Sequence, residues 1–279
     1  ASALLSVPKS TAVRGFSLFG ESFLYVIFEE GTDPYWARSR VLEYLSQMAG
    51  RLPAGVLPQL GPDATGIGWV YQYALVDTTN TYDLSRLRSI QDWYLKYELS
   101  SLDGVAEVAS VGGFVRQYQV EVDPAKLEHY GIALGHVINA VKRSTGAVGG
   151  RLLELGETEF VVRSQAYIGD LDDLRQTPVH VPPDGPPVFL SSVAQVHMGP
   201  EIRRGVAELD GKGETVGGIV VIRYGENARD VINRVKERLE DLKGGLPPGV
   251  EIVPVYDRSA LIDRATGNLT DTLIKEILI

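Results

Sequence analysis

Residues 217–250 have the sequence GGIVVIRYGENARDVINRVKERLEDLKGGLPPGV. The β-branched run at 218–223 is typical of a strand, and the turn after it leads into an amphipathic helical pattern. Residues 23–56 repeat this order, with a strand at 23–28, a turn, a helical pattern and the closing sequence LPAGV, which resembles the LPPGV at 246–250. A strand–helix–strand unit that occurs twice predicts two related α+β units rather than one continuous sheet.

The remaining periodicity predicts further elements of the same kind. A hairpin is expected at 13–28 around the turn Gly20-Glu21, because apolar runs flank that turn. Between the two units, apolar positions at helical spacing predict a helix over 84–99. Its buried side is expected to consist of Leu87, Ile90, Trp93, Tyr94 and Tyr97. Three tryptophans are expected to pack in the core or at a domain seam, namely Trp36, Trp69 and Trp93.

Composition and charge restrict the class of protein. The 279 residues are enough for two or three small domains, and 44% of them are hydrophobic, so the chain can bury cores. The formal net charge is −9, which argues against a protein that binds the phosphates of nucleic acids. No cysteine is present. Disulfides and thiolate metal sites are therefore excluded, and the compartment stays open.

The two ends of the chain give different signals. Residues 1–8 contain no basic region followed by a long apolar run, so no signal peptide is expected there. Residues 272–279 become increasingly apolar but do not reach the roughly 20 apolar residues of a membrane span. This last stretch is either the end of an ordinary amphipathic helix or the first part of a membrane helix.

Catalysis has little support in the sequence. There is no nucleophile elbow, Walker loop or His-Glu-x-x-His motif, so we predict no catalytic residue and no cofactor. The only group of ligand-like residue types is His197 beside Met198, with Glu201 nearby. Such close neighbours converge on a metal in a loop, whereas the local pattern favours alternating strand residues and a surface glutamate. His197 and Met198 are therefore the two metal-ligand candidates, and Arg203 and Arg204 are expected to form surface ion pairs.

Two other sets of residues are expected to be structural. Met48 belongs to the apolar stripe of the helix after the first hairpin, so we place it in the core rather than at a metal. Three acidic residues lack the spacing of a calcium-binding loop and predict the capped start of a short helix. They are Asp170, Asp172 and Asp173.

Several stretches resemble one family of transporters. Those stretches are VRGFS at 13–17, VIFEEGTDPYWARSRVLEYL at 26–45, LGPDATG at 60–66, QDW at 91–93, VAEVASVGG at 105–113, GPE at 199–201 with RRG at 203–205, and YDRS at 256–259. They resemble the heavy-metal efflux branch of the resistance-nodulation-division pumps, and its copper/silver members in particular. The resemblance covers essentially all 279 residues.

The resemblance implies an α+β fold in which two ferredoxin-like βαββαβ porter subdomains carry an inserted β-rich docking subdomain. The implied boundaries are 1–68 for a first porter subdomain that lacks its N-terminal part, 69–121 with 207–256 for the second, 122–206 for the docking subdomain, and 257–279 for a helix that leads into the second transmembrane helix. The glycine-rich segment 146–156 would then belong to an arm that reaches a neighbouring protomer.

The resemblance also implies a function. The chain would be a periplasmic loop of a proton-driven inner-membrane pump that exports Cu(I) or Ag(I), and it would form part of the conduit and of the trimer interface. The implied partners are two further protomers, a periplasmic adaptor, an outer-membrane channel, the inner membrane through flanking helices, and the metal ion as substrate, but no nucleic acid.

The family's main methionine site and its proton-relay carboxylates lie outside such a loop. Ile202 stands where copper/silver members can carry a methionine, whose thioether suits Cu(I). Two alternative hypotheses remain. One is a stand-alone periplasmic binding or adaptor module, and the other is an enzyme of unknown type.

Overall fold

The chain folds into two units, one of which is inserted in the sequence of the other. The computed structural model describes residues 2–18, 20–53, 55–65, 67–144, 147–155, 158–165, 168–183, 185–203 and 205–277. Unit 1 consists of Ala1–Gly113 and Gly205–Ile279, and unit 2 is Phe114–Arg204. The chain therefore leaves unit 1 once and returns to it once.

The helices and strands have the following bounds. Unit 1 contains β1 (Ser10–Leu18), β2 (Glu21–Phe28), α1 (Pro34–Met48), β3 (Trp69–Asp77), α2 (Leu84–Ile90), α3 (Lys96–Ser100), β4 (Val105–Gly112), β11 (Val216–Ile222), α8 (Ala228–Leu242), β12 (Val250–Asp257) and α9 (Ser259–Ile277). Unit 2 contains β5 (Arg116–Val122), α4 (Pro124–Tyr130), α5 (Leu134–Ser144), β6 (Ala147–Leu155), β7 (Thr158–Gln165), α6 (Leu171–Arg175), β8 (Pro178–His180), β9 (Val188–Phe189), α7 (Leu190–Val193) and β10 (Ala194–Pro200).

A four-stranded sheet with the order β12-β3-β11-β4 forms the centre of unit 1. Each neighbouring pair is antiparallel, so β3 runs parallel to β4, and β11 runs parallel to β12. The helices between the parallel strands are therefore crossover connections. The order β3-α2-α3-β4-β11-α8-β12 is the βαββαβ arrangement of a ferredoxin-like fold. The predicted α+β class is confirmed, and the insertion lies between β4 and β11.

The two crossover connections bury one side against this sheet. Helix α8 begins at Asn227, whose side-chain oxygen accepts a hydrogen bond from the backbone N–H of Arg229 at 3.0 Å. Burial of each large apolar side chain contributes roughly 1.5–3 kcal/mol. The buried side of α8 consists of Val231, Ile232, Val235, Leu239 and Leu242.

A π-helical turn at Gln91–Leu95 joins α2 to α3 and changes which residues face the sheet. Leu99 is fully buried, whereas Trp93 and Tyr97 are 84% and 74% exposed. The predicted buried stripe is therefore wrong for Trp93 and Tyr97, because a repeat of 3.6 residues does not continue across the wider turn.

The other two tryptophans also lie outside the buried core. Trp69, the first residue of β3, is 54% exposed. Trp36 on α1 is half-buried, and the Lys9 ammonium lies 5.2 Å from its ring centroid. Core packing is therefore wrong for Trp69, since a strand end leaves one side of the ring without neighbours.

Strands β1 and β2 form the predicted hairpin and pair with each other, not with the four-stranded sheet. Helix α1 follows, and the Asp33 carboxylate accepts a hydrogen bond from the backbone N–H of Tyr35 at 3.1 Å. Ala37 is the buried residue of α1, and Met48 is only half-buried. The apolar stripe predicted for this helix is thus only partly covered. In the described residues between α1 and β3, no strand follows the first LPAGV sequence.

Unit 2 pairs β5 with β10, β6 with β7 and β8 with β9. The Asp170 carboxylate accepts hydrogen bonds from the backbone N–H groups of Asp172 and Asp173, each at 2.9 Å. The capped helix start predicted for these three aspartates is therefore correct. The glycine-rich segment 146–156 lies largely in the β6–β7 hairpin, although residues 145–146 and 156–157 lie outside the described residues.

The insertion begins earlier than the sequence predicts. The predicted boundary places residues 116–121 in the second porter subdomain with 69–121, but they form β5, which pairs with β10 along its whole length and belongs to unit 2. The first residues after the return, 205–206, belong to unit 1. Two short alternating strands look alike in sequence, and their partners become apparent only in the folded chain. The names of porter and docking subdomain for these units remain a prediction.

Helix α9 lies within the helix implied for residues 257–279, and its side chains are mostly exposed. Of the helices that the structure describes, none combines the length and the apolar character needed to cross a membrane.

Removal of the Tyr73 hydroxyl should destabilise unit 1 by about 1–3 kcal/mol, because it leaves a buried acceptor unpaired. Tyr73 O–H donates to Gln91 Oε1 at 2.9 Å, and both residues are buried. Burial raises the pKa of Tyr73, so the hydroxyl remains a donor at ordinary pH. Urea unfolding of Tyr73→Phe checks this. Tyr97→Phe, which alters an exposed ring, is the matched control and should change stability by less than about 0.5 kcal/mol. Equal effects of the two substitutions would contradict the role of the buried pair.

Asp77 should make the stability of unit 1 sensitive to acid. Its carboxylate accepts hydrogen bonds from the Thr79 hydroxyl at 2.7 Å and from the Tyr82 backbone N–H at 2.7 Å, and these bonds lower its pKa from 3.8 to about 2. A pKa lowered by folding stabilises the protein above the unfolded pKa, and this contribution disappears as pH falls toward 2. Between pH 5 and about 2, the melting temperature should therefore fall less steeply for Asp77→Asn than for the parent protein. Asp103→Asn, at an exposed position, should keep the parental slope.

Candidate functional site

Both metal-ligand candidates lie on β10, which pairs with β5. His197 is opposite Gln119, and Met198 is opposite Tyr118. Successive residues of a strand point to opposite faces of the sheet. The two side chains therefore do not converge on one point, and each remains a separate candidate.

His197 is held by a glutamine whose own orientation is fixed. Gln119 Nε2 donates to the Pro200 carbonyl at 2.9 Å, which directs Gln119 Oε1 toward His197 Nε2 at 3.1 Å. In neutral His197 this bond places the proton on Nε2 and leaves the lone pair on Nδ1. Nδ1 is buried and has no hydrogen-bond partner among the described residues. His197 thus offers one nitrogen ligand, and a complete site would need others.

The Glu121 carboxylate lies 3.8 Å from His197 Nε2 rather than at Nδ1, and the residues that follow Met198 add no ligand. Glu201 is exposed, and its backbone N–H donates to the Val115 carbonyl at 2.8 Å. Ile202 is 79% exposed and has no donor atom in its side chain. Arg204 lies outside the described residues, so the surface ion pair predicted for it stays a prediction. Across the part of the chain that the structure describes, no three His, Cys, Asp or Glu side chains form a group able to hold a metal ion.

The β1–β2 hairpin presents an apolar face that the sequence analysis does not single out. Phe16 pairs with Phe23, and their ring centroids lie 5.2 Å apart. Phe16 also stacks with Tyr25 at 6.0 Å. We call this surface the aromatic face, and it consists of the exposed residues Phe16, Leu18, Phe23, Tyr25 and Ile27. A contiguous exposed apolar patch of this kind marks a surface that contacts something else. The sequence signal that could have revealed it is the continuous apolar run FLYVIF at 23–28, since a strand places such a run on both faces of the hairpin.

The opposite face of the hairpin packs toward α1 and encloses a groove of about 350 Å³. Leu24 and Val26 line it from β2, Tyr35 and Val41 from α1, and Leu60 from the following segment. The lining is mainly apolar, so the groove offers space for an apolar side chain rather than coordination for a metal.

The segment after α1 anchors the hairpin and helix to the ferredoxin-like module. Arg38 Nη1 donates to the carbonyls of Gly61 and Pro62 at 2.8 and 3.0 Å. The Asp63 carbonyl accepts from the backbone N–H of Tyr224 at 3.0 Å, and its carboxylate lies 3.6 Å from Arg223 Nε. This segment carries the LGPDATG sequence at 60–66. These bonds therefore give its Gly61, Pro62 and Asp63 a structural role.

Unit 2 contains a separate open cleft of about 860 Å³. His136 and Arg143 line it from α5, Asp173 from α6 and His180 from β8. Asp173 is already engaged, because its carboxylate accepts from the Gly169 backbone N–H at 2.9 Å. The cleft is lined by polar and apolar groups alike, and its side chains form neither a nucleophile–base pair nor one of the metal-binding groups considered above.

The fold and these surfaces define a ferredoxin-like module with an inserted unit and without an assembled catalytic or metal centre in the described residues. The profile of the AcrB/AcrD/AcrF family matches residues 2–279. The chain belongs to this family.

Named relatives and solved structures agree with that assignment. The chain is 57% identical over 276 residues to the cation efflux system protein CusA of Escherichia coli (strain K12), and 55% identical over 276 residues to the putative cation efflux system protein SilA of Salmonella typhimurium. These alignments cover 99% of the chain and 26% of each relative. An X-ray crystal structure of a heavy metal efflux pump, in crystal form II, matches 98% of the chain with a TM-score of 0.86 and 33% identity. The match covers 27% of that pump, so the chain spans about a quarter of the proteins that it resembles.

The purified chain should bind Ag(I) or Cu(I) weakly. Soft cations need several thioether, thiolate or imidazole ligands at one point, and His197 and Met198 lie on opposite faces of β10. Calorimetry in a buffer that stabilises Cu(I) checks this. Any residual binding should fall when His197→Ala and Met198→Ala are combined, and the two single effects should add. His129→Ala is the matched control for loss of an exposed histidine. Submicromolar one-to-one binding that survives the double substitution would reveal another site.

Proposed function

We propose that this chain is the periplasmic porter and docking portion of a proton-driven Cu(I)/Ag(I) efflux pump. The main support is the split ferredoxin-like sheet, in which β4 and β11 pair although an inserted unit separates them in the sequence. The chain that contains this sheet is 57% identical to a cation efflux protein. A porter subdomain with a docking subdomain inserted in it has this organisation. The metal ion is cargo in this proposal.

The subdomain assignment follows the two units. Residues 69–113 and 205–257 form the second porter subdomain, and unit 2 is the docking subdomain. The β1–β2 hairpin with α1 is the part of the first porter subdomain that this chain contains. The β6–β7 hairpin is the arm that reaches a neighbouring protomer of a homotrimer. Its two strands pair with each other, as expected of an arm that extends from its unit.

The aromatic face supports a conduit role for the hairpin. Its rings stack with each other and remain exposed, so they form a rigid apolar wall. Arg14 lies on the same face, because it is the cross-strand partner of Tyr25. In the proposed pump this face lines the cleft that opens and closes as the protomers alternate, a rigid-body motion of the hinge or shear type.

The weak metal chemistry of the chain fits a conduit. An ion in transit must not be held tightly along the path, and the described residues contain no group of three His, Cys, Asp or Glu ligands. Coordination that selects the metal would then lie in parts of the pump beyond this segment. The remaining partners in the proposal are a periplasmic adaptor, an outer-membrane channel and the inner membrane, and the chain itself is not an enzyme.

A stand-alone periplasmic binding or adaptor module is the competing proposal, and it predicts activity without membrane segments. The reading frame around the coding sequence distinguishes the two. In-frame membrane helices on either side support the pump.

A chimera tests the proposed function. Replacement of the matching segment of Escherichia coli CusA by residues 1–279 should restore copper and silver tolerance to a strain that lacks the pump, because the inserted subdomains fit the rest of the protein. The same chain expressed alone should give no tolerance. The matched control is a chimera with the CzcA segment, which is 34% identical to this chain, and it should restore less. A chimera that assembles in the membrane as trimers yet gives no tolerance would overturn the proposal.

A further inference from the structure

Two consecutive glycines stand where the chain passes from unit 1 to unit 2. Gly112 ends β4 and Gly113 is the last residue of unit 1 before the insertion. Both have left-handed backbone conformations, with φ of 71° and 62°. A Cβ on Gly112 would lie 2.1 Å from the Thr215 carbonyl oxygen, and a Cβ on Gly113 would lie 2.6 Å from Val216 Cγ2. The conformation and the space therefore both require glycine.

Arg88 on α2 binds this junction directly. Its Nη1 donates to the Gly112 carbonyl at 2.9 Å, and its Nε donates to Asp92 Oδ2 at 2.7 Å. One guanidinium therefore joins the last carbonyl of β4 to a carboxylate on the helix. The two charged side chains are each 22% exposed, so water screens the pair only in part.

The π-helical turn contains the carboxylate that binds Arg88. It directs two consecutive residues, Gln91 and Asp92, toward the sheet. Asp92 Oδ1 accepts from the Ser110 hydroxyl at 2.5 Å, and Gln91 Oε1 accepts from the Tyr73 hydroxyl at 2.9 Å. In an uninterrupted α-helix, adjacent residues point about 100° apart. Asp92 therefore contacts both Ser110 on β4 and Arg88 on α2, and it is the carboxylate that orients Arg88.

We propose that Gly112-Gly113 is the hinge of the inserted unit and that Arg88 is the positioning residue that latches it. The hinge combines two glycines in left-handed conformations and one charged side chain that binds a hinge carbonyl. When Arg88 holds Gly112, the direction in which the chain enters unit 2 is fixed. When Arg88 releases it, the direction varies. The inference goes beyond the proposed function and does not depend on the transported ion.

Spin-label distances test the latch in the full chain, which has no native cysteine. Glu237→Cys in unit 1 and Glu128→Cys in unit 2 are both exposed labelling positions. Arg88→Lys keeps the charge but lacks the planar fork that donates to two acceptors in a fixed geometry. It should broaden the distance distribution between the units at least about twofold. Arg86→Lys, at an exposed position on the same helix, is the matched control and should leave the width unchanged.

A second variant and a second label pair separate hinge release from general loosening. Asp92→Asn keeps the shape of the carboxylate but weakens its hold on Arg88, so it should broaden the distribution less than Arg88→Lys. A pair within unit 1, Glu237→Cys with Lys212→Cys, should keep its width in every variant. Unchanged widths between the units in both Arg88→Lys and Asp92→Asn would overturn the proposal. Equal broadening of the pair within unit 1 would overturn it as well.

Discussion

The pairing of β4 with β11 is the contact on which the rest of the structure depends. These strands lie on either side of an insertion that extends from Phe114 to Arg204, yet Gly112 is the cross-strand partner of Val216. The sheet closes only if the insertion leaves and returns at the same place. The entropy of joining chain ends rises slowly with loop length, so a unit with its own core can be inserted there. Unit 2 has such a core, and it includes Val137, Leu174, Leu190 and Val193.

Close contacts at this sheet leave room only for glycine at three neighbouring positions. A Cβ on Gly217 would lie 2.3 Å from the Tyr73 carbonyl oxygen, and one on Gly218 would lie 2.5 Å from the Tyr73 ring. Gly112 faces the Thr215 carbonyl in the same way. The missing side chains allow the Tyr73 ring to lie against β11, where its hydroxyl reaches Gln91. The buried polar pair, the π-helical turn and the Arg88 contact therefore form one continuous arrangement around a single pair of strands.

The surfaces of unit 1 differ in character. The four-stranded sheet and its crossover helices bury their apolar residues between them. The hairpin uses one face for α1 and leaves the aromatic face exposed. Exposed rings on a hairpin held by the Arg38 and Asp63 contacts suit a surface that meets another part of a larger protein. The separation of His197 and Met198 on opposite faces of β10 is compatible with the conduit role proposed above.

The sequence by itself determined the α+β class, the β1–β2 hairpin, the capped start of α6 and the family, because these depend on local periodicity, capping residues and long matching stretches. Only the tertiary structure decided where the insertion begins, since β4 and β5 look alike until their partners are known. It also decided that Trp93 and Tyr97 are exposed, because a π-helical turn changes the phase of a helix without a clear sequence signal. His197 and Met198 could be named from their types, but their separation follows from the pleat of β10, which sends adjacent side chains to opposite faces.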